Sequence, residues 1–585
     1  MSLNRQHHVQ RSAVLFFNAI ISLLCANSVT EAVTVTVDAS VEHQEFEGWG
    51  TSICWWGNII PNYPQRSRDS IMYLFFDTAN GLGMTIIRYN IGGGDNPSHT
   101  HMGTGKMMEG FKASQTAQYD WTKDAGQRWV VDEAKKRIPS KWFIAEAFSN
   151  SPPYWMTISG CASGNSGGSN NLRTDYYDDF ADYLTEVVKH FRDNWGITFR
   201  TLEPMNEPMI GWSVNGGQEG CHIDVSLQDD LIREVKSKLD AKGLTGTKIS
   251  APDETSIDQT LSSWNSYDAT TKSYVFQINT HVYSGSRRAE LHAAAEAGGK
   301  KLWDSECDGS GAPAPFDQWP HNHNDIVPGL DIANRILLDL RDLKVHGWIF
   351  WQAVESEQAQ VSLNKNWGLI HADFNGGNRY YITKKYYSLR QFSGFIRPFS
   401  KMIDINNNDA VACLSPERTR LIIVQRNAST AAVSYDYRLS NFQGLGSTAS
   451  VWRTSATENF NKVNDLSVIN GTLAATSPAQ SITTYTIRLN PTSVLSQGKP
   501  AIRFFTKTRY SNSTLNVEFT APGNQAFLRL YNLQGDLLKS AALHTGSGGV
   551  YSSSHDLSSL SNGNYMVEII CGKHVLYTSK VVHIK

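Results

Sequence analysis

Two glutamates stand where carboxylate chemistry would need them. The run Arg200-Thr-Leu-Glu-Pro-Met-Asn-Glu-Pro208 opens like a strand and presents Asn206 and Glu207 ahead of a proline. About a hundred residues later, Lys301-Leu-Trp-Asp-Ser-Glu306 is a second strand-like run that also ends on a glutamate. Pro208 disfavours α geometry at Glu207, so the spacing predicts a carboxylate held at a strand tip. Such a pair suits glycosidic bond cleavage, in which one carboxylic acid protonates the leaving oxygen while a second carboxylate attacks the anomeric carbon or activates water. Each glutamate alone has a plainer reading: Glu207 as a surface residue at a loop start, Glu306 as a salt-bridged neighbour of Asp304 and Asp308.

Residues so far apart meet only if the fold gathers strand ends on one face, as a (β/α)8 barrel does. The pattern from the Gly48 region to about residue 400 is strand then helix, repeated. Candidate strands are 85–90, 142–147, 199–203, 248–252, 275–281, 301–306 and 347–351, which with the Gly48 region make eight. Tyr177, Phe180, Leu184, Val187, Val188 and Phe191 follow helical spacing over 177–195. A second helix is expected from Ser226, with Asp229 three residues on as its capping partner, to a stop at Gly243. Gly92-Gly-Gly94 lacks the G-x-G-x-x-G form, which argues against a dinucleotide-binding open sheet. The expected fold is α/β, a TIM barrel over 33–400, with 33–45 pairing with a side β-sandwich at 401–490. A linker at 491–500 and a small all-β module at 501–585 complete the expected organisation.

The chain has 585 residues, 40% of them hydrophobic and 18% charged, which is enough to bury large cores. A formal charge of -2 leaves no footprint for nucleic acid or an anionic membrane surface. Arg5 and Arg11 precede an apolar run from Ala13 to Ala26, so residues 1–32 read as a secretory signal peptide, too short for a permanent span. Beyond Cys25 the chain keeps six cysteines in an expected oxidising space, and a Cys161–Cys221 disulfide is the expected pairing. No cysteine pair has C-x-x-C spacing, so no metal or organic cofactor is expected. Nothing demands an oligomer, and a monomer is expected. With 16 Trp and 23 Tyr, the chain can line a cleft with rings that stack on sugars, though most of them belong to cores.

Seven segments stand in order along the chain: Phe46-Glu-Gly-Trp-Gly50, Arg88-Tyr-Asn-Ile-Gly-Gly-Gly-Asp95, Asn150-Ser-Pro-Pro-Tyr-Trp155, Asn206-Glu207-Pro208, Thr280-His-Val-Tyr283, Trp303-Asp-Ser-Glu306 and Gly347-Trp-Ile-Phe-Trp351. Together they resemble glycoside hydrolase family 30. It spans roughly residues 33 to 490. It implies a retaining double displacement with Glu207 as acid then base, Glu306 as nucleophile, and carboxyls about 5–5.5 Å apart. It further implies that Asn206 bonds the sugar 2-hydroxyl, Tyr283 donates to Glu306, and Arg88 lies beneath the nucleophile. Asp95 would contact sugar hydroxyls, Trp155 and Trp351 would form apolar walls, and His281 would line the site. Gly48-Trp-Gly-Thr-Ser52, Trp55-Trp56 and Gln218-Glu-Gly-Cys-His222 are similar to the endo-β-1,6-galactanase branch, which adds Trp55 to the expected sugar-binding residues. Glu219 in that last segment reads more plainly as a loop carboxylate. A β-1,6-glucanase or xylanase of the same family, or a catalytically silent glycan-binding barrel, are the alternatives.

The tail carries a second resemblance. Tyr531-Asn-Leu-Gln-Gly535, Asp556-Leu-Ser-Ser-Leu-Ser-Asn-Gly-Asn-Tyr565 and Lys580-Val-Val-His-Ile-Lys585 are similar to the sorting domain of type IX secretion substrates. That implies export from the cell, with surface attachment through the tail as one fate. A carbohydrate-binding β-module is the competing reading, and the segment has no tryptophan to serve it.

Overall fold

The computed structural model describes residues 31–308, 319–442, 444–490, 506–511, 513–520, 526–532, 537–543, 550–571 and 574–583. The expected leader, apart from its last residues, and the expected linker at 491–500 lie outside the described residues. By contact density the chain divides into a unit ending at Ser493 and a second unit beginning at Val494.

The first unit opens with β1 (Val33–Phe46), then β2 (Gly48–Ser52), helix α1 (Gln65–Phe76), β3 (Ile86–Asn90) and α2 (Ala125–Arg137). It continues with β4 (Ile144–Phe148), α3 (Tyr177–Trp195), β5 (Thr201–Glu203) and α4 (Val225–Ala241). Next come β6 (Lys248–Ser250), β7 (Glu254–Ser256), α5 (Ile257–Ser266), α6 (Ala269–Tyr274) and β8 (Val275–Ser284). Then follow α7 (Arg288–Ala297), β9 (Lys301–Cys307), α8 (Ile326–Leu338) and β10 (Gly347–Gln352). β2 to β10 form one parallel sheet in the order β6-β5-β4-β3-β2-β10-β9-β8-β7, closed by pairing of β6 with β8. With β6 and β7 as two stretches of one barrel position, this is an eight-position TIM barrel. Its strands are buried on both faces, as parallel strands wrapped by helices must be.

The helix expected over 177–195 forms as α3, packing Phe180, Leu184, Val188 and Phe191 inward and ending at Gly196, whose φ of +64° reverses the chain. α4 corrects the expected start. Its N-cap is Asp224, not Ser226, and the Asp224 carboxylate is held by His222 and Asn170 instead of capping the helix, so no capping box forms.

Beyond β10 an excursion of β11 (Val354–Ser356), α9 (Glu357–Leu363), β12 (Ile370–Ala372) and β13 (Tyr380–Ile382) stands over one side of the barrel mouth before α10 (Lys384–Ser393) returns to the wall. The side module is built from β14 (Ser400–Ile405), β15 (Ala410–Leu414), β16 (Arg420–Asn427), β17 (Val433–Arg438), β18 (Leu445–Thr454), β19 (Asn461–Ile469), β20 (Thr472–Ser477) and β21 (Ser481–Leu489). β1 completes it, pairing antiparallel with β14 and parallel with β17, so that nine strands close on themselves around Val35, Val37, Leu421, Ile423, Tyr437 and Tyr485.

In the second unit Thr506–Ser511, Thr514–Thr520 and Val550–Asp556 form one antiparallel sheet. Ala526–Tyr531, Leu537–Leu543, Gly563–Cys571 and His574–His583 form another. Leu515, Leu528, Leu530 and Val567 are buried there.

Phe191 is wedged between Tyr89, Trp195 and Phe199, with ring centroids 4.5–4.9 Å away. Phe191→Ala should lower the unfolding free energy of the barrel by about 3–5 kcal/mol. A urea titration followed by tryptophan fluorescence reads this, and an unchanged midpoint would contradict the packing described.

Candidate active site

The site is built from the barrel outward. Arg88 on β3 is fully buried and forms the centre of an acidic interior. Its Nη1 donates to Glu306 Oε2 at 2.8 Å and Ser52 Oγ at 3.3 Å; its Nη2 donates to Asn206 Oδ1 at 2.9 Å and Asp253 Oδ2 at 2.5 Å. Glu203 and Glu146 lie at 3.5 and 3.8 Å from the same guanidinium, which also rests 3.6 Å from the Phe148 ring centroid. Burial opposes this charge, but Asp253, Glu306, Glu203 and Glu146 outweigh it and hold Arg88 protonated. The layer beneath is a buried polar network in which Glu203 Oε1 is left without a partner. Glu146 accepts from Thr201, Ser250, Gln277 and Asn279, and Asn279 also donates to Glu203 at 2.8 Å.

Burial, with Asp253 and Glu146 adding, pushes Glu203 well above the carboxylate range; burial also raises Glu146, against Arg88. Asp253 goes the other way. Burial works to raise it, yet Arg88, His281 and the Ser305 hydroxyl hold it well below the usual range. The interior therefore holds Asp253 low while it raises Glu146 and Glu203.

Glu306 reaches the cleft because β9 carries an extra residue. Thr280 pairs with Asp304 and His281 with Glu306, so Ser305 is a bulge. The bulge lets consecutive residues face inward: Ser305 Oγ donates to Asp253 Oδ1 at 2.5 Å while Glu306 turns to Arg88. Tyr283 Oη donates to Glu306 Oε1 at 3.1 Å. Glu207 sits four residues beyond the end of β5, and the sequence expectation of an extended tip needs correction: its φ is +46°. Pro208 disfavours the right-handed helical basin, and the chain leaves it on the left-handed side, a conformation that costs a non-glycine residue about 1–2 kcal/mol. The Glu207 amide donating to Asp253 O at 2.9 Å holds that turn.

His281 stands between the two glutamates. Its Nδ1 lies 3.0 Å from Glu207 Oε1 and 3.5 Å from Glu306 Oε1, and its Nε2 3.2 Å from Asp253 Oδ1. Burial disfavours its charge, but Glu306, Asp253 and Glu207 push it well above the ordinary histidine range. An oxygen of Glu207 and one of Glu306 lie within 4.8 Å of each other and of the His281 nitrogen. Burial raises Glu306 to about 7, with neighbouring Glu207 adding to the shift and His281 and Arg88 opposing it.

Both glutamates open into a cleft of about 990 Å³ whose lining includes Trp55, Asn206, Trp212, Tyr283, Trp351 and Trp367. Trp55 and Trp351 meet edge to face at 5.1 Å, and the Lys106 ammonium lies 4.1 Å from the Trp55 ring centroid. Of the ten residues expected from sequence, Glu207, Glu306, Asn206, Tyr283, Trp55 and Trp351 line this cleft, and Arg88 lies directly beneath it. Three stand elsewhere. His281 is wholly buried behind the glutamates and lines nothing. Trp155 packs edge to face on Tyr176 and donates to Lys112 O, outside the lining. Asp95 is drawn aside by His99 Nδ1 at 3.1 Å and His101 Nε2 at 3.2 Å.

The expected Cys161–Cys221 disulfide is not formed: both thiols are free, Cys161 Sγ lying 3.0 Å from Ser163 Oγ and 3.4 Å from His101 Nε2. Glu219 is no exposed loop carboxylate. It is buried against Asn90 Nδ2 and Gly93 N, and burial pushes it up to about 8. Sequence reasoning missed Asp253, although a carboxylate following the strand 248–252 was a signal of the same kind as Glu207. It also missed Trp212, whose indole donates to Glu207 O at 3.1 Å, and Lys106 and Trp367 in the cleft lining, which sit in loops without periodicity, and Glu355 in the three-residue strand β11, too short to show a period.

Residues 32–297 match the model of O-glycosyl hydrolase family 30, and residues 511–585 match that of a secretion system C-terminal sorting domain. The chain is 28% identical over 484 residues to an endo-beta-1,6-galactanase of Hypocrea rufa, covering 78% of this chain and 94% of that protein. It is 24% identical to an exo-beta-1,6-galactobiohydrolase of Bifidobacterium longum, covering 72% of this chain and 36% of that protein. Among solved structures, the catalytic domain of the GH30 xylanase C from Talaromyces cellulolyticus superposes with a TM-score of 0.59 at 19% identity, over 78% of this chain and 99% of that one. Residues 32–297 are thus similar to glycoside hydrolase family 30, and residues 511–585 to a secretion-system C-terminal sorting domain.

Proposed function

We propose that this protein is a secreted, retaining endo-β-1,6-galactanase acting on galactan side chains of arabinogalactan. The observation that carries the retaining mechanism is the approach of Glu207 and Glu306 oxygens to within 4.8 Å across His281. That spacing suits direct attack, whereas an intervening water needs carboxyls about 6.5–9.5 Å apart. The ionised Glu306 attacks the anomeric carbon as the glycosidic C–O bond breaks, and Glu207 gives its proton to the departing oxygen. Water then enters, loses a proton to Glu207 and attacks the same carbon, releasing Glu306 from its ester. Arg88 and Tyr283 hold Glu306 in line, and with its carbonyl taken by Arg88, Asn206 offers its amide nitrogen to a sugar hydroxyl. Trp55 and Trp351 supply ring faces and edges for pyranose rings. The cleft volume lies at the top of the range of about 300–1,000 Å³ usual for ligand sites, which supports binding of several sugars and internal cleavage. The galactan assignment is supported by the names of the two relatives, and export by the sorting domain.

The substrate is tested by product analysis on de-arabinosylated arabinogalactan, β-1,6-glucan and glucuronoxylan. Galacto-oligosaccharides of mixed length are expected; cleavage of glucan or xylan alone would overturn the substrate. Glu306→Gln should abolish turnover while glycan binding persists, and substantial remaining activity would remove Glu306 from the nucleophile role. Glu207→Ala should lose about 10²–10⁴-fold in kcat and regain turnover with azide on an activated substrate. Absence of rescue would count against the acid/base role.

The pH dependence follows from the raised Glu306. A carboxyl at about 7 is protonated below that pH, and only the anion attacks, so kcat/KM should fall as pH drops through about 7. Tyr283→Phe removes a donor to the anion and should move that limb upward. A profile flat from pH 8 to 5 would show that Glu306 ionisation does not limit the reaction.

A further inference from the structure

Outside the catalytic centre, four side chains from three separate segments converge on one point. His321 and His323 lie in the segment between β9 and α8, Glu357 opens α9, and His371 is in β12. Three ring nitrogens approach a single carboxylate oxygen, Glu357 Oε2: His321 Nε2 at 3.2 Å, His323 Nε2 at 3.0 Å and His371 Nδ1 at 3.2 Å. All four atoms lie within 4.8 Å of one another. His321 and His323 can each donate to one of the two lone pairs of that oxygen, which leaves none for His371, so hydrogen bonding does not account for the third approach. The orientation of His371 adds a second argument. Its Nε2 is 2.6 Å from the carbonyl oxygen of Trp367, which only accepts, so Nε2 carries a hydrogen and Nδ1 is the ring's lone-pair nitrogen in the neutral form.

We infer that His321, His323, Glu357 and His371 form a binding site for a divalent transition-metal ion, zinc above all. Zinc ligands at about 2.0–2.2 Å in a tetrahedron stand about 3.3–3.5 Å from each other, close to the three separations found here. The ring centroids, 4.7, 5.0 and 5.6 Å apart, are spread as three imidazoles around one centre would be. The surroundings fix the ligands as a metal's outer shell does. Trp367 O holds His371, Tyr381 stacks on His323 at 4.7 Å and 10°, and Asn364 Oδ1 accepts from the His321 amide. Four protein ligands fill a tetrahedron, which makes the site structural and leaves no open position for catalysis. Its effect falls on the cleft: α9 supplies Gln358, Ser362 and Leu363 to the wall, and the chain just beyond supplies Trp367. The ion would tie that wall to the segment after β9 and to β12. The sequence reading expected no metal because it weighed cysteine spacing alone; the signal it passed over was His321-Asn-His323.

The test uses the full chain, stripped with chelator and titrated with Zn²⁺ alone. Uptake of one equivalent is expected, with a rise in melting temperature and slower amide hydrogen exchange across Glu357–Leu363. The His321→Ala/His323→Ala double variant should lose that uptake, and Glu357→Gln, which preserves shape, should weaken it by at least about tenfold. If the double variant fails to fold by circular dichroism, Glu357→Gln decides alone. No uptake by the stripped protein at micromolar Zn²⁺ overturns the proposal. So does undiminished uptake by the variants, which would move the ion to the Asp95, His99, His101 and Cys161 group.

Discussion

The whole candidate site rests on one buried cation. Arg88 is placed by a five-residue strand at the centre of a closed barrel, and four carboxylates from four other elements converge on it. Taking a guanidinium out of water is tolerable only when its donors are met and its charge is opposed. Here the opposing charges are the same groups that orient the site. Asp253 takes one arm of Arg88 and carries His281 and Ser305; Glu306 takes the other and faces the cleft. Removing Arg88 would leave like charges facing one another in a dry interior, so fold and chemistry share a single point of failure.

The same interior treats equally buried carboxyls differently. Burial raises Glu146 and Glu203, whereas Asp253, gripped from two sides by cations, is held low. Glu306 lies between these extremes, and His281 is the positive element that lets two glutamates approach each other. A histidine expected to line the cleft thereby stands behind it as the electrostatic spacer of the two glutamates.

Much of this was legible in the sequence because it follows from period and punctuation. Eight buried strand runs, the helical spacing from Tyr177 to Phe191 and the alternation in Val33-Thr-Val-Thr-Val all express burial, which residue type reports directly. Glu207 and Glu306 were legible because strand ends in a barrel converge. What stayed hidden depends on loops and on three-dimensional competition. Asp95 looked free to meet sugar until His99 and His101 took it, Trp155 found Tyr176, and Cys161 faced a histidine and not Cys221. Glu207 departed from the extended form because the proline rule disfavours one basin without choosing between those that remain.

The bulge at Ser305 has a consequence for how much one strand can deliver. Side chains along a strand alternate between interior and helix layer, and an unpaired extra residue lets two neighbours face the same way without disturbing the pairing on either side. Without Ser305 the strand would return to plain alternation with the glutamate still opposite His281, so what the extra residue adds is a hydroxyl aimed at Asp253 next to an inward carboxylate. A strand of seven residues thereby serves two layers of the interior at once.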